Sequence, residues 1–248
     1  SYFDHIEIKK SDREFHTTTG LYKGRRISVI STGIGPDNID IVMNELDALV
    51  NIDLQTKEIK PEKKRLNIVR IGTSGSVQAD VPVHSFVISE MSLGIDGVLR
   101  FYRDNETVCD TAFEDAFIKE CHWTPLAARP YVVKASPELV SKLHTEGVTV
   151  KGVTLTANGF YGPQGRVLRL PIEMPTVNDE IARFHFNGHK IVNYEMESAA
   201  IAGLSALMGH HATTICLIIA NRANGDASSN YKPYMKKLVE YTLDSLAR

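Results

Sequence analysis

Four apolar runs in this chain break off into small or polar residues: "STGIG" at 31–35, "GTSGS" at 72–76, "TANGF" at 156–160 and "ANRANG" at 220–225. A run of this kind reads as a strand that opens into a turn, and the sequence between the runs supplies helices. Behind "RRISVISTGIG" (25–35), Ile39, Val42, Met43, Leu46 and Leu49 recur at helical spacing. "SPELVSKLHTEG" (136–147) has a serine cap, a proline in the first turn and a closing glycine. "LNIVRIGTSGSVQ" (66–78), "HSFVISEMSLGID" (84–96), "TVKGVTLTANGFYGP" (149–163) and "ATTICLIIANRANG" (212–225) read as strands, the last most clearly. Strands alternating with helices predict an α/β fold with a largely parallel or mixed sheet and helices on its faces. In such sheets a ligand sits beyond the carboxyl ends of the strands, so the four ends are expected to converge on one pocket.

At 248 residues and 43% hydrophobic content, the chain can bury a large core as one domain. Its 28 basic and 30 acidic residues leave a net charge of −2, so no global field favours nucleic acid or an anionic membrane. Any phosphate it handles must be held by local groups. No apolar stretch approaches the roughly 20 residues that span a bilayer, and no signal-like segment opens the chain. Cys109, Cys121 and Cys216 are far apart without metal spacing, which points to a reducing, cytoplasmic setting. His210 and His211 lack a third ligand and read as surface or capping residues, so no metal is expected. The charged segment 54–65 reads as a solvated connection.

Several clusters could carry chemistry. Gly33 and Gly35 invite a dinucleotide reading, but Asn38 stands where the third glycine belongs, and a tight strand-to-helix turn explains them better. Arg70, near the end of an apolar run, needs an anion: either a carboxylate such as Glu90, or a phosphate held with the amides and hydroxyls of Gly72, Thr73, Ser74 and Gly75. Phe160, Gln164 and Arg166 supply an aromatic face, a two-way amide and a fork of donors, which a flat heterocycle requires and which a surface loop could also contain by chance. Glu195 and Glu197 bracket Met196 at the start of an alanine-rich helix. There a carboxylate either favours the positive helix end, by about 0.3 to 1 kcal/mol, or accepts hydrogen bonds from a vicinal diol.

In order and spacing, "STGIG", "VRIGTSGSVQ", "GFYGPQGR", "NYEMES" and "ANR" resemble the uridine phosphorylase branch of the nucleoside phosphorylase superfamily, from about Arg13 to Arg222. The resemblance implies a three-layer α/β fold with a mixed central sheet, and reversible phosphorolysis of uridine to uracil and ribose 1-phosphate, a pentosyl transfer in pyrimidine salvage. It implies no organic or metal cofactor, since inorganic phosphate is the co-substrate. Carried over, Arg70 and Thr73 belong to phosphate, beside the Ser74 and Gly75 of the same small-residue run, with Arg13 donated by a neighbouring subunit. Met196 and Glu197 belong to ribose. Gln164, Arg166 and Phe160 belong to uracil, with Glu195 and Arg222 completing the base end. The shared site implies a homo-oligomer built on a dimer, up to a hexamer. Where purine-cleaving relatives place an aspartate, this chain has Asn221, which cannot protonate a purine.

The family's glycine-aspartate-proline-x-arginine loop and N-terminal strand have no counterpart in the 248 residues. The expectation is a single domain lacking both, with about 20 to 45 further residues before Ser1 in the native polypeptide. The rival readings are a purine nucleoside phosphorylase, a nucleosidase that uses water, and a nucleoside-binding protein without turnover.

Overall fold

The computed structural model describes residues 2–248. The chain opens with β1 (His5–Asp12), β2 (Phe15–Tyr22) and β3 (Arg25–Ser31), an antiparallel sheet in that order. After α1 (Pro36–Asn51) come β4 (Asn67–Ser76), β5 (Phe86–Gly94), α2 (Thr111–Glu120), β6 (Tyr131–Lys134), α3 (Pro137–Leu143) and β7 (Thr149–Thr156). The remainder is α4 (Val177–Arg183), β8 (His185–Phe186), β9 (His189–Glu195), α5 (Ser198–Met208), β10 (His211–Asn221) and α6 (Lys232–Ala247).

The central mixed sheet runs β10-β4-β9-β7-β5-β6, with β8 added to β9. It contains two sets of strands. β4 and β10 are parallel to one another, and β5, β7 and β9 are parallel to one another. The sets meet in antiparallel fashion twice: β10 pairs with β5 through Ile215 to Leu217, and β4 pairs with β9 only at Gly75–Tyr194 and Ser76–Asn193. The sheet therefore curls until it closes on itself. Because β4 and β9 run in opposite directions and overlap only over their last residues, their carboxyl ends arrive at the same place.

Helices cover this curled sheet. Ile39 and Met43 of α1 and the alanines and Leu204 of α5 bury one side together with Leu99 and Tyr131. Leu143 of α3 and Leu238 of α6 close over Ile88, Ile215 and Leu217 on another. Phe113 and Phe117 of α2 pack with Ile181 and Phe184 around α4. β10 is buried from Ala212 to Ile218 because it has hydrogen-bonded neighbours on both edges and helices on its faces.

Three local expectations are corrected. β3 does not join the central sheet; it pairs only with β2 and is largely exposed, as its Arg25, Arg26, Ser28 and Ser31 require. Helix α3 has its Ser136 cap, which accepts from the Leu139 amide, but it stops at Leu143 with His144 extended, and Gly147 belongs to the next turn. His210 is not a surface residue: it is buried, takes the Leu66 amide on Nδ1 at 3.2 Å and faces Asp47 from Nε2 at 3.2 Å. The 54–65 connection is exposed, as expected. Among the described residues no helix is long and apolar enough to cross a membrane, no cluster of ligating side chains could hold a metal ion, and the three cysteines are free.

One buried carboxylate ties the rim around α5 together. Glu114, with a fully buried side chain, receives Arg100 Nη2 at 2.7 Å, Arg129 Nη2 at 3.4 Å and the Val132 amide at 3.2 Å. Arg100 follows Leu99, which packs against α5. Glu114→Ala would leave these donors facing a void, and a loss of about 3–5 kcal/mol in unfolding free energy is expected by chemical denaturation. Arg129→Ala, at the exposed end of the network, should cost less than about 1 kcal/mol.

Candidate active site

β9 ends in Glu195, the chain bends through Met196, and α5 begins at Ser198 with Glu197 as its N-cap residue. The first amides of a helix have no partner within it, and Glu195 satisfies them: its Oε2 accepts from the amides of Glu197 at 2.8 Å and Ser198 at 2.9 Å. Its Oε1 accepts from the Thr156 hydroxyl at 2.5 Å, and Thr156 in turn accepts from the Ala199 amide at 2.8 Å. The helix-end role that sequence offered to Glu197 thus falls to Glu195. Glu197 faces the other way, with Oε1 accepting from the Gly35 amide at 2.6 Å. Gly35 holds φ 98° and ψ 162°, open only to glycine, so the "STGIG" turn reaches the site without belonging to the central sheet.

Arg70 joins the two carboxylates. Its Nη1 lies 3.1 Å from Glu195 and its Nη2 pairs with Glu197. The guanidinium lies flat over Gly72, where an added Cβ would stand only 2.5 Å from Nη1. Glu90, the alternative partner, bonds His189 instead. Burial works against the charge of Arg70, but the neighbouring carboxylates outweigh it and hold the group protonated. Burial also pushes the Glu195 carboxyl upward, against the pull of Arg70. Two carboxylates against one guanidinium leave this end of the site negative.

A second cluster adjoins the first through Tyr194 and Gly75. Gln164 is buried, and its Oε1 accepts from Arg166 Nη1 and Arg222 Nη2, both at 2.5 Å, while its main-chain oxygen accepts from Arg222 Nη1 at 2.8 Å. Guanidinium groups only donate, so these bonds fix the orientation of the amide and leave Nε2 to donate outward. Arg166 stacks 3.9 Å above the centre of Phe160, and Arg222 lies 4.3 Å above that of Tyr194. A register shift in β10 between Ile218 and Ala220 re-aims the strand end that carries Arg222. Among the described residues neither arginine has a carboxylate partner. Burial, followed by the charge of Arg166, lowers the proton affinity of Arg222. This end is positive.

The remaining candidates are distributed unevenly. Thr73 and Gly75 are half-buried on β4 between Arg70 and Arg222, and Met196 is half-buried in the turn before α5. The Ser74 hydroxyl is buried and accepts from Asn193 Nδ2 at 2.9 Å, so it faces the sheet interior. Glu195 faces Arg70 and α5, not the Gln164 cluster where it was expected. Arg13 stands apart, exposed at the tip of the β1–β2 turn. Asn221 spends its amide on backbone: Nδ2 donates to Gln78 and Val81 oxygens, each at 3.0 Å, and Oδ1 accepts from Ala223 at 2.8 Å. Sequence reasoning gave no site role to Thr156, Tyr194 or Cys216, although all three lie inside runs that it singled out. A cavity of about 620 Å³, lined by Tyr161, Leu168, Ile172, Met174 and Val177, shares only Arg166 with these clusters.

The family model of the phosphorylase superfamily matches residues 1–244. The uridine phosphorylase of Thermococcus kodakarensis is 26% identical over 220 residues, covering 86% of this chain; the chain spans 65% of that protein, less than two thirds of its length. A DeoD-type purine nucleoside phosphorylase of Tolumonas auensis is 27% identical over 230 residues, covering 92% of this chain and 78% of its own. Among solved structures, a Trypanosoma brucei nucleoside phosphorylase described as showing uridine phosphorylase activity superposes with a TM-score of 0.85 at 27% identity, over 99% of this chain and 88% of that one. With the family model matched over nearly every residue and the curled mixed sheet shared with a nucleoside phosphorylase, the chain belongs to the phosphorylase superfamily.

Proposed function

We propose that this chain is a uridine phosphorylase, converting uridine and phosphate reversibly to uracil and ribose 1-phosphate. The observation that carries the reading is the polarity of the site. As a glycosidic bond breaks, the sugar gains oxocarbenium character and the base gains negative charge. Glu195 and Glu197, only partly balanced by Arg70, stand where positive charge develops. Arg166 and Arg222, without carboxylate partners, stand where negative charge develops. Charges held in place before the reaction need no reorganisation at the moment of bond cleavage.

In this scheme phosphate takes Arg70 Nη2 from Glu197, with Thr73 and Gly75 beside it. The freed Glu197 oxygen then accepts the ribose hydroxyls, and Met196 lies against the sugar. Gln164 Oε1 is already taken by two guanidinium donors, so Gln164 meets uracil first through its amino group, while Arg166 donates to a second carbonyl and Phe160 packs nearby. Phosphate is the co-substrate and no other cofactor takes part. Arg13 reaches the site of a second copy of the chain, which makes the working unit at least a dimer.

A purine nucleoside phosphorylase is the second reading, favoured by the similarity to the Tolumonas auensis protein. Against it, the Asn221 amide is spent on backbone groups, so it offers no acid for a purine leaving group.

Uracil release from uridine is expected to require phosphate, with inosine turned over at least about 100-fold less efficiently, because a base that leaves polar donors unpaired is strongly rejected. Phosphate-independent release would identify a nucleosidase, a preference for inosine would identify a purine enzyme, and no release with either nucleoside would identify a binding protein. Arg166→Ala should lower kcat about 10²-fold, the usual cost of one donor to a developing anion; a change confined to the KM of uridine would remove Arg166 from the chemistry. Arg13→Ala should raise the KM of phosphate far more than the KM of uridine, and equal effects would count against a role across the interface.

A further inference from the structure

The interior of the curled sheet is crossed by a line of polar side chains that the proposed chemistry does not use. Ser92 Oγ lies 2.8 Å from Ser198 Oγ, Ser198 Oγ 3.4 Å from Ser89 Oγ, and Ser89 Oγ 2.5 Å from Thr154 Oγ1. Thr154 donates to Asn193 Oδ1 at 2.9 Å, and Asn193 Nδ2 donates to Ser74 Oγ at 2.9 Å. All of these residues are buried. The direction of the line is set by chemistry: the Asn193 amino group can only donate, so Ser74 is an acceptor there and its own hydrogen is left to donate, with Cys216 on the neighbouring strand, in register with Gly72, under the influence of that hydroxyl. Thr154 has given its hydrogen to Asn193, so Ser89 must donate to Thr154. Every bond therefore points toward Cys216, which is fully buried and also receives Arg70 Nη1 at 3.3 Å.

We propose that Cys216 is a positioning residue. Its sulfur, which accepts from Arg70 Nη1 at 3.3 Å and feels the Ser74 hydroxyl, fixes where the guanidinium lies on Gly72 and hence the geometry offered to phosphate. The inference rests on the reading of Arg70 as a phosphate ligand. A thiol suits the task because it accepts without adding a third negative charge; burial pushes it up to about 11, so it stays neutral near pH 7. A carboxylate in the same place would compete with phosphate for Arg70. The β4–β10 register sets Cys216 opposite Gly72, so sulfur and guanidinium meet over the one residue of β4 whose missing Cβ leaves them space.

The test uses the full chain with uridine and phosphate. Cys216→Ala should raise the KM of phosphate about tenfold while the KM of uridine stays within about twofold, as expected for loss of one hydrogen bond to a charged group. Cys216→Ser, which keeps an acceptor, should recover most of the loss. If the sulfur only fills space, both constants will move together and serine, smaller than cysteine and polar, will do no better than alanine; that result overturns the proposal. A second readout needs no substrate. The S–H stretching band of Cys216, identified as the infrared band missing in Cys216→Ala, should shift in Ser74→Ala. An unmoved band overturns the proposal even in an active phosphorylase. A shifted band in a protein whose turnover ignores phosphate upholds the contact of Ser74 with Cys216 but overturns the functional reading of Arg70, and with it the positioning role toward phosphate.

Discussion

The buried ion triad of Arg70, Glu195 and Glu197 is the constraint on which the rest of the site depends. A guanidinium inside a sheet is costly unless its donors are met, and here they are met by two carboxylates on one short bend of chain. That requirement ties β4 to the start of α5, and Glu197 carries the connection on to the Gly35 amide and the turn before α1. Three segments distant in sequence are thereby held at one point. Glu195 does most of the mechanical work, since its two oxygens gather Thr156, two helix amides and Arg70. Glu197, two residues on, divides its oxygens between the Gly35 amide and Arg70.

Topology makes this meeting possible. In an open parallel sheet all carboxyl ends lie along one edge, spread over the width of the sheet. In this chain the two sets of strands run in opposite directions and touch where β4 and β9 end, so the residues following Ser76 and Glu195 are brought to the same place. The parallel pairing of β10 with β4, Ala220 opposite Gly75 and Asn221 opposite Ser76, then brings Arg222 beside Gly75 and above Tyr194. Positive and negative clusters are adjacent because Tyr194 and Glu195 are consecutive residues at a strand end. The charge separation of the site is thus built into the backbone path.

The chain belongs to the phosphorylase superfamily, and its two charged clusters lie side by side at the meeting of β4, β9 and β10. Family similarity extends at comparable identity to a uridine and to a purine nucleoside phosphorylase, so it does not choose the base. The side chains at the positive end bear on that choice: Gln164 locked between two arginines, and an Asn221 whose amide is turned to the backbone.

Much was already legible in the sequence. The runs that end in small residues mark β4, β7 and β10, and the motifs "VRIGTSGS", "GFYGPQGR" and "NYEMES" name the side chains that the structure gathers into two clusters. Local pattern is enough for this because periodicity and turn chemistry act over a few residues. Partner choice was not legible. That Arg70 would take Glu195 and Glu197 in place of Glu90, that Ser74 would turn inward to Asn193, and that β3 would leave the central sheet all depend on which strands become neighbours. The same is true of Cys216, which in sequence is one apolar residue in a buried strand and in the fold is the meeting point of Ser74 and Arg70. Strand pairing is decided by the closure of the whole sheet, a long-range condition that no window of sequence contains, whereas the residue types that make a bipolar pocket possible are written in the chain from the start.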